Sequence, residues 1–309
     1  MAIVSRSLKA HILLVIMTFV WGSTFVLIKS ALADSTPMLL NAVRMAGAAA
    51  ILALIYHRQL AKISRGVVWA SFVIGTFLWI GYEAQTVGLV YTSASKSAFL
   101  TGLSVILVPV LLALIWRRHV NRYTLMGVGA AFVGLYLLTV PPAQGGLMFS
   151  SINRGDLLTL LCAVAFAIQI IFVGRSAQRY PFEQLVTLEI AFCAMWMWLS
   201  VPIAERGAHM RFTPPVIWSL LICGLIGTVV AFIVQAWAQQ FTPPTHTALI
   251  FSLEPVFAAG TSYVLLGERL GGRGLVGGAL ILGGVLLSEV LGTVVHPEAE
   301  LREELQLEN

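Results

Sequence analysis

Ten stretches of this chain are each apolar for about the length of one bilayer crossing, at 10–31, 37–56, 67–89, 92–116, 123–140, 154–174, 183–204, 214–239, 243–267 and 272–292. A helix needs about 20 such residues to span the hydrocarbon core. Short punctuated breaks separate the stretches, among them Asp34-Ser35-Thr36-Pro37, Pro141-Pro142 followed by Gly145-Gly146, and Thr242-Pro243-Pro244. With 58% hydrophobic and only 11% charged residues, against about 25% charged in ordinary soluble domains, the chain reads as all-α and integral to a membrane. The formal charge of +5 is too small to point to nucleic acid. It fits Lys and Arg retained in cytoplasmic loops.

Ala31-Leu32-Ala33 after the first stretch has the small-residue pattern of a signal-peptidase site. A retained first span is the stronger reading, because the run is too long for a signal core and carries Trp21-Gly22-Ser23-Thr24 in its middle. With the N-terminus placed inside, inner segments carry Arg6, Lys9, Arg58, Lys62, Arg65, Arg117, Arg118, Arg122, Arg175, Arg179 and Arg302. Outer segments carry Arg154, Arg206, Arg211, Arg269 and Arg273. The bias puts both termini in the cytoplasm of a bacterial inner-membrane protein. The tail at 296–309 is acidic and exposed.

The chain also aligns with itself at an offset near 150. Gln85 matches Gln235, Thr92 matches Thr242, Ala98 matches Ala248, Leu103 matches Leu253, Leu125 matches Leu275, Gly127 matches Gly277 and Gly134 matches Gly284. Each half, 1–145 and 146–295, holds five spans. An odd number forces the second half to enter the membrane upside down, so the expected fold is ten transmembrane helices as two inverted five-helix repeats. Such repeats characterise secondary transporters, with substrate sites near the midplane.

Trp21-Gly22-Ser23-Thr24-Phe25 resembles the opening signature of the drug/metabolite transporter superfamily, EamA type. Tyr91 to Leu100 resembles that family's fourth span, and Leu253-Glu254-Pro255-Val256-Phe257-Ala258-Ala259 with Leu266-Gly267-Glu268-Arg269-Leu270 its ninth. The first half departs from the second, with Ser104-Val105 where the second has Glu254-Pro255. The resemblance implies alternating access by rocking and a small-molecule cargo such as amino acids or amphipathic organic compounds, often moved outward. Proton coupling or exchange is compatible with it. A lipid-binding scaffold without transport, an intramembrane enzyme and a passive channel are the competing classes. An enzyme would need clustered nucleophiles, and the sequence has no phosphate loop, metal-ligand cluster or triad. No cofactor is expected.

Ionisable residues within spans cost roughly 2.5–3.5 kcal/mol at the centre and tend to face cavities or partners. Arg44, Glu83 and Lys96 fall in an outer layer, roughly 6–12 Å deep at 1.5 Å per residue. Their repeat counterparts, Glu189 for Arg44, Gln235 for Gln85 and His246 for Lys96, fall in an inner layer, with Glu254 near the middle. Ser93, Ser97, Thr101 and Ser104 share a helical stripe beside Lys96. The expected substrate pathway is therefore Arg44, Glu83, Gln85, Lys96, Ser97, Thr101, Glu189, Gln235, His246 and Glu254. Trp21, Trp79, Tyr82 and Phe166 are candidates to wall an aromatic cavity.

Each has a plainer reading. Glu83 and Lys96 make a structural ion pair as readily as a substrate anchor, Arg44 suits a helix interface, and Glu189 and Glu254 suit either proton carriage or packing. His246 suits a membrane interface, and the hydroxyl stripe and the aromatic residues suit helix packing. Cys162, Cys193 and Cys223 lie in apolar segments without disulfide or metal spacing. Small-residue spacings in the fifth and tenth spans, such as Gly127-x-x-x-Ala131 and Gly274-x-x-x-Gly278, permit close helix approach within a monomer or in a homodimer.

Overall fold

A computed structural model describes residues 6–92, 97, 100–116, 120–139, 153–266 and 271–292. Lys96 and the acidic tail lie outside the described residues. The helices are α1 (Arg6–Ala31), α2 (Pro37–Ile55), α3 (Arg65–Tyr91), α4 (Ser104–Trp116), α5 (Arg122–Thr139) and α6 (Arg154–Ala177). They continue with α7 (Phe182–Ala204), α8 (Pro214–Ala238), α9 (Pro244–Phe251), α10 (Glu254–Leu266) and α11 (Gly272–Gly292). No strand occurs among the described residues; one isolated antiparallel bridge joins Ser35 to Met210.

By length and composition, six helices can cross a membrane: α1, α2, α3, α6, α7 and α8. Their outer faces present large apolar side chains, such as Leu54, Leu114 and Ile203, as lipid-facing surface does. Trp69 and Trp218, near helix starts, are also exposed and suit an interfacial belt. The caps follow local chemistry. Proline opens α2, α8 and α9, where a missing N–H is harmless. The Ser64 hydroxyl accepts from Val67 N at 3.3 Å to start α3. Asn153 and Asp156 form a reciprocal capping box on α6.

The fourth and ninth apolar stretches, expected as continuous spans, are each interrupted in the described residues. α4 starts after a turn at Leu103, whose N–H bonds Leu100 O at 3.2 Å. α9 and α10 part at Ser252-Leu253, with Leu253 N–H on Ile250 O at 3.0 Å. Pro255 has no N–H to return to the Phe251 carbonyl, which accounts for the second break. Leu103 and Leu253 are partners at the 150-residue offset. A further irregularity is the π-helical segment Ile222–Val230 inside α8.

Backbone contact at glycine sets the packing. α5 and α11 cross antiparallel: a Cβ at Gly127 would stand 2.5 Å from Gly284 O, and one at Gly134 would stand 2.6 Å from Gly277 O. The small-residue surfaces of these helices thus meet each other within one chain. α3 lies between α6 and α7. It runs antiparallel to α6, with Gly88 on Gly155 and Phe77 on Phe172. It runs parallel to α7, with the Ser71 hydroxyl donating to Leu185 O at 3.3 Å and Gly75 against Glu189 O. α8 lies between α1 and α2 in the same manner.

Loops clasp at both ends of α2. Near its C-terminus, Gln184 Nε2 donates to Gln59 O at 2.8 Å and Lys62 O at 3.1 Å. Near its N-terminus, Arg211 N donates to Asp34 O at 2.9 Å and Thr213 Oγ1 to Asp34 Oδ2 at 2.9 Å. There Glu205 accepts from Met38 N at 3.1 Å and Leu39 N at 3.0 Å, so the loop after α7 caps α2.

Candidate functional site

A cavity of about 100 Å³ lies at the two breaks, bounded by α1, α2, α3, α6, α8 and the segments on either side of Leu103 and Leu253. Its lining falls into pairs. Trp21 and Phe166, and Thr24 and Gln169, are 145 apart in sequence; Tyr82 and Phe232, Gln85 and Gln235, Thr101 and Phe251, and Ser104 and Glu254 are 150 apart. Position for position, the first half and the second half supply the same wall.

Five rings form a continuous chain around the cavity. Phe251 lies 5.0 Å from Trp21, Trp21 5.9 Å from Phe232, Phe232 6.3 Å from Tyr82, and Tyr82 5.5 Å from Phe166, centroid to centroid. Glycine admits two of these contacts. A Cβ at Gly81 would collide with the Phe166 ring. Gly227, in the π-helical turn of α8, offers its carbonyl to the Trp21 indole at 2.8 Å. Such wide turns leave carbonyls outside the regular ladder and occur frequently at functional sites.

The polar lining is mostly amide and hydroxyl. Gln85 Nε2 donates to Thr101 Oγ1 at 3.3 Å, and Gln235 Nε2 donates to Gln169 Oε1 at 3.1 Å and Gln239 Oε1 at 3.2 Å. Gln169 Nε2 and Gln235 Oε1 have no hydrogen-bond partner among the described residues. Two charges complete the wall. Arg44 lies over the Tyr82 ring, 4.6 Å from its centroid, with Nε and Nη2 buried and without an acceptor among the described residues. Glu254 stands at the start of α10, where the broken helix resumes.

Of the residues expected from sequence, Trp21, Arg44, Tyr82, Gln85, Thr101, Phe166, Gln235 and Glu254 line this cavity. Five others lie elsewhere. Glu83 and Glu189 are buried in the α2–α3–α7 interface, where both, with Arg44, are within electrostatic reach of the Cys193 thiol. Both Glu83 oxygens and Glu189 Oε2 have no donor among the described residues. Trp79 stacks on Trp196 at 5.6 Å. Ser97 is buried, its Oγ 3.4 Å from Thr159 Oγ1. His246 faces His11 across α1 and α9, ring centroids 6.4 Å apart. Thr24, Gln169 and Phe232, not singled out from the sequence, belong to the wall. Their signal was available as the repeat partner of another polar or aromatic residue.

These features define an all-helical membrane protein built around an internal cavity of paired composition. The EamA-like transporter family model matches residues 8–140 and again 153–290, and the chain belongs to that family. It is similar to an uncharacterised transporter of Archaeoglobus fulgidus, with 32% identity over 91% of this chain and 86% of the relative. It is also 25% identical, over 91% of this chain and 95% of the relative, to a Salmonella typhimurium protein named "Probable amino-acid metabolite efflux pump". A solved crystal structure shares its fold with a TM-score of 0.75 at 18% identity, over 92% of this chain and 97% of that one. The protein is a membrane transporter and not an enzyme.

Proposed function

We propose that this protein is a secondary transporter that exports small metabolites, such as amino acids or amphipathic organic compounds, by alternating access between two inverted five-helix halves, 1–145 and 146–295. The observation that carries this reading is the cavity itself. Its wall is assembled from sequence-matched pairs, at the level where one helix of each half is interrupted. A site so divided can open toward either side by rocking one half against the other, and interrupted helices at such a site are a recurring transporter device. The antiparallel crossing of Gly127 on Gly284 and Gly134 on Gly277 supports the inversion, because the paired positions exchange places across it.

In this reading ten spans place both termini in the cytoplasm of a bacterial inner membrane. The partners are a small-molecule substrate and the bilayer. Arg44, Gln85, Thr101, Gln235 and Glu254 contact substrate, and Glu254 or Glu189 carries a proton that couples transport. The use of the α5 and α11 glycines within one chain favours a monomer over a dimer built through these helices.

Purified protein in liposomes preloaded with labelled amino acids, aromatic carboxylates or amines tests the reading. At least one compound is expected to leave faster than from protein-free liposomes, and to leave faster still when unlabelled compound is supplied outside. Leakage of every compound at the protein-free rate would sink it. An inward proton gradient is expected to speed export, and Glu254→Gln or Glu189→Gln to remove that dependence. Export indifferent to the gradient would remove proton coupling.

A further inference from the structure

The geometry points to a substrate with two opposite charges on a flat apolar body: Arg44 takes its carboxylate, Glu254 takes its amine, and the ring chain holds the body. This inference rests on the transport reading and names the class of cargo.

Arg44 is the first ground. Its side chain is buried, lines the cavity, and presents Nε and Nη2 without an acceptor among the described residues. A guanidinium withdrawn from water needs an anion or several carbonyls. Tyr82 supplies only its ring face. This contact uses the plane of the guanidinium and leaves its edge, which carries the donors, available. A planar fork of N–H donors matches a carboxylate better than any other small acceptor. Glu83 is the nearby alternative. It follows Tyr82 on α3, about 100° around the helix, and does not line the cavity.

Glu254 is the second ground. It lines the same cavity and starts α10, and no cation among the described residues acts on it. The Tyr82 hydroxyl is within electrostatic reach of both Arg44 and Glu254, so the two poles are close enough for one small molecule to meet both. A simple carboxylate would leave Glu254 facing a like charge, and a simple amine would leave Arg44 bare. A zwitterion compensates both. The third ground is the wall between the poles, where Trp21, Tyr82 and Phe166 present ring faces and edges suited to a flat apolar body.

Three probes with one phenyl ring separate the charges: L-phenylalanine, 3-phenylpropionate and 2-phenylethylamine. Equilibrium binding of each to the purified full-length protein in detergent is the measurement. Wild type is expected to bind phenylalanine about tenfold or more tighter than either single-charge probe, as a charge-assisted hydrogen bond is worth. Arg44→Gln should erase the advantage over phenylethylamine and keep the advantage over phenylpropionate, with Glu254→Gln doing the reverse. Arg44→Lys should fall between wild type and Arg44→Gln.

Equal binding of the three probes by wild type, or no saturable phenylalanine binding, overturns the assignment without any variant having to fold. An Arg44→Gln protein that weakens all three probes alike, or none, assigns Arg44 to helix packing and also overturns it. Flux in liposomes is independent of this preference. Transport without charge selectivity sinks only this inference, whereas absence of any flux sinks the transport reading.

Discussion

The Arg44 guanidinium lies 4.6 Å from the centroid of the Tyr82 ring, and both side chains belong to the wall of one internal cavity. α2 and α3 are thereby joined at the site by a face-on contact that leaves donors unused. A desolvated cation–π contact is worth about 2 kcal/mol, or a factor of roughly 30 in an equilibrium. Tyr82→Phe keeps the ring and should keep at least half of the liposome flux. Tyr82→Leu should lower flux by about tenfold or more while the protein remains monodisperse. Equal flux in the two variants would show that the ring face does not matter.

The antiparallel bridge between Ser35 and Met210 supplies a lock. Facing residues in such a pair have Cα atoms about 4.5–5.5 Å apart, inside the range of about 4.4–6.8 Å that a disulfide requires. In Ser35→Cys/Met210→Cys protein, an oxidant should stop transport and a reductant should restore it. Uninterrupted flux in the crosslinked protein would mean that these loops do not part during the cycle.

Glu205 holds the first N–H groups of α2 from a loop 166 residues away in sequence. Glu205→Ala removes both bonds, and loss of such a cap costs about 1 kcal/mol. A lower thermal midpoint is expected, with unchanged binding of substrate to protein that remains folded. An unchanged midpoint would show that water replaces the cap without loss.

Glycines of α5 and α11 differ sharply in their surroundings. Gly127→Val forces a side chain onto the Gly284 carbonyl and should destabilise by about 1–3 kcal/mol, as overpacking does. Gly129 and Gly283 have nothing within 4 Å of an added Cβ, so alanine there should be neutral or stabilising by up to about 1 kcal/mol. Thermal unfolding in one detergent compares them. Equal midpoints for Gly127→Val and Gly129→Ala would contradict the crossing.

Helix placement was legible because apolar length is a direct demand of the solvent, and the repeat was legible because both halves build one wall. Gln85 and Gln235 were found that way, as a matched pair. Thr24 and Gln169 form an equally good pair at 145, but each is a single neutral polar residue in an apolar run and looks like helix packing. The interruptions at Leu103 and Leu253 leave almost no local mark, since only Pro255 stands beside one of them. Charge misled at Glu83 and Glu189: depth along a helix follows from residue count, whereas the direction a side chain faces depends on which neighbour α3 or α7 packs against. Trp79 illustrates the same limit, because its ring turns to Trp196.

The paired contacts of Gly127 with Gly284 and Gly134 with Gly277 also bear on motion. Helices whose backbones touch at two points cannot slide past one another without climbing over a carbonyl. They can tilt about the line joining those points. α5 and α11 are therefore suited to serve as the fulcrum, with displacement growing with distance from their crossing. A tilt of a few degrees there becomes ångströms at the loop clasps, so the largest excursions fall on the segments around Ser35 and Met210 and not on the crossing itself.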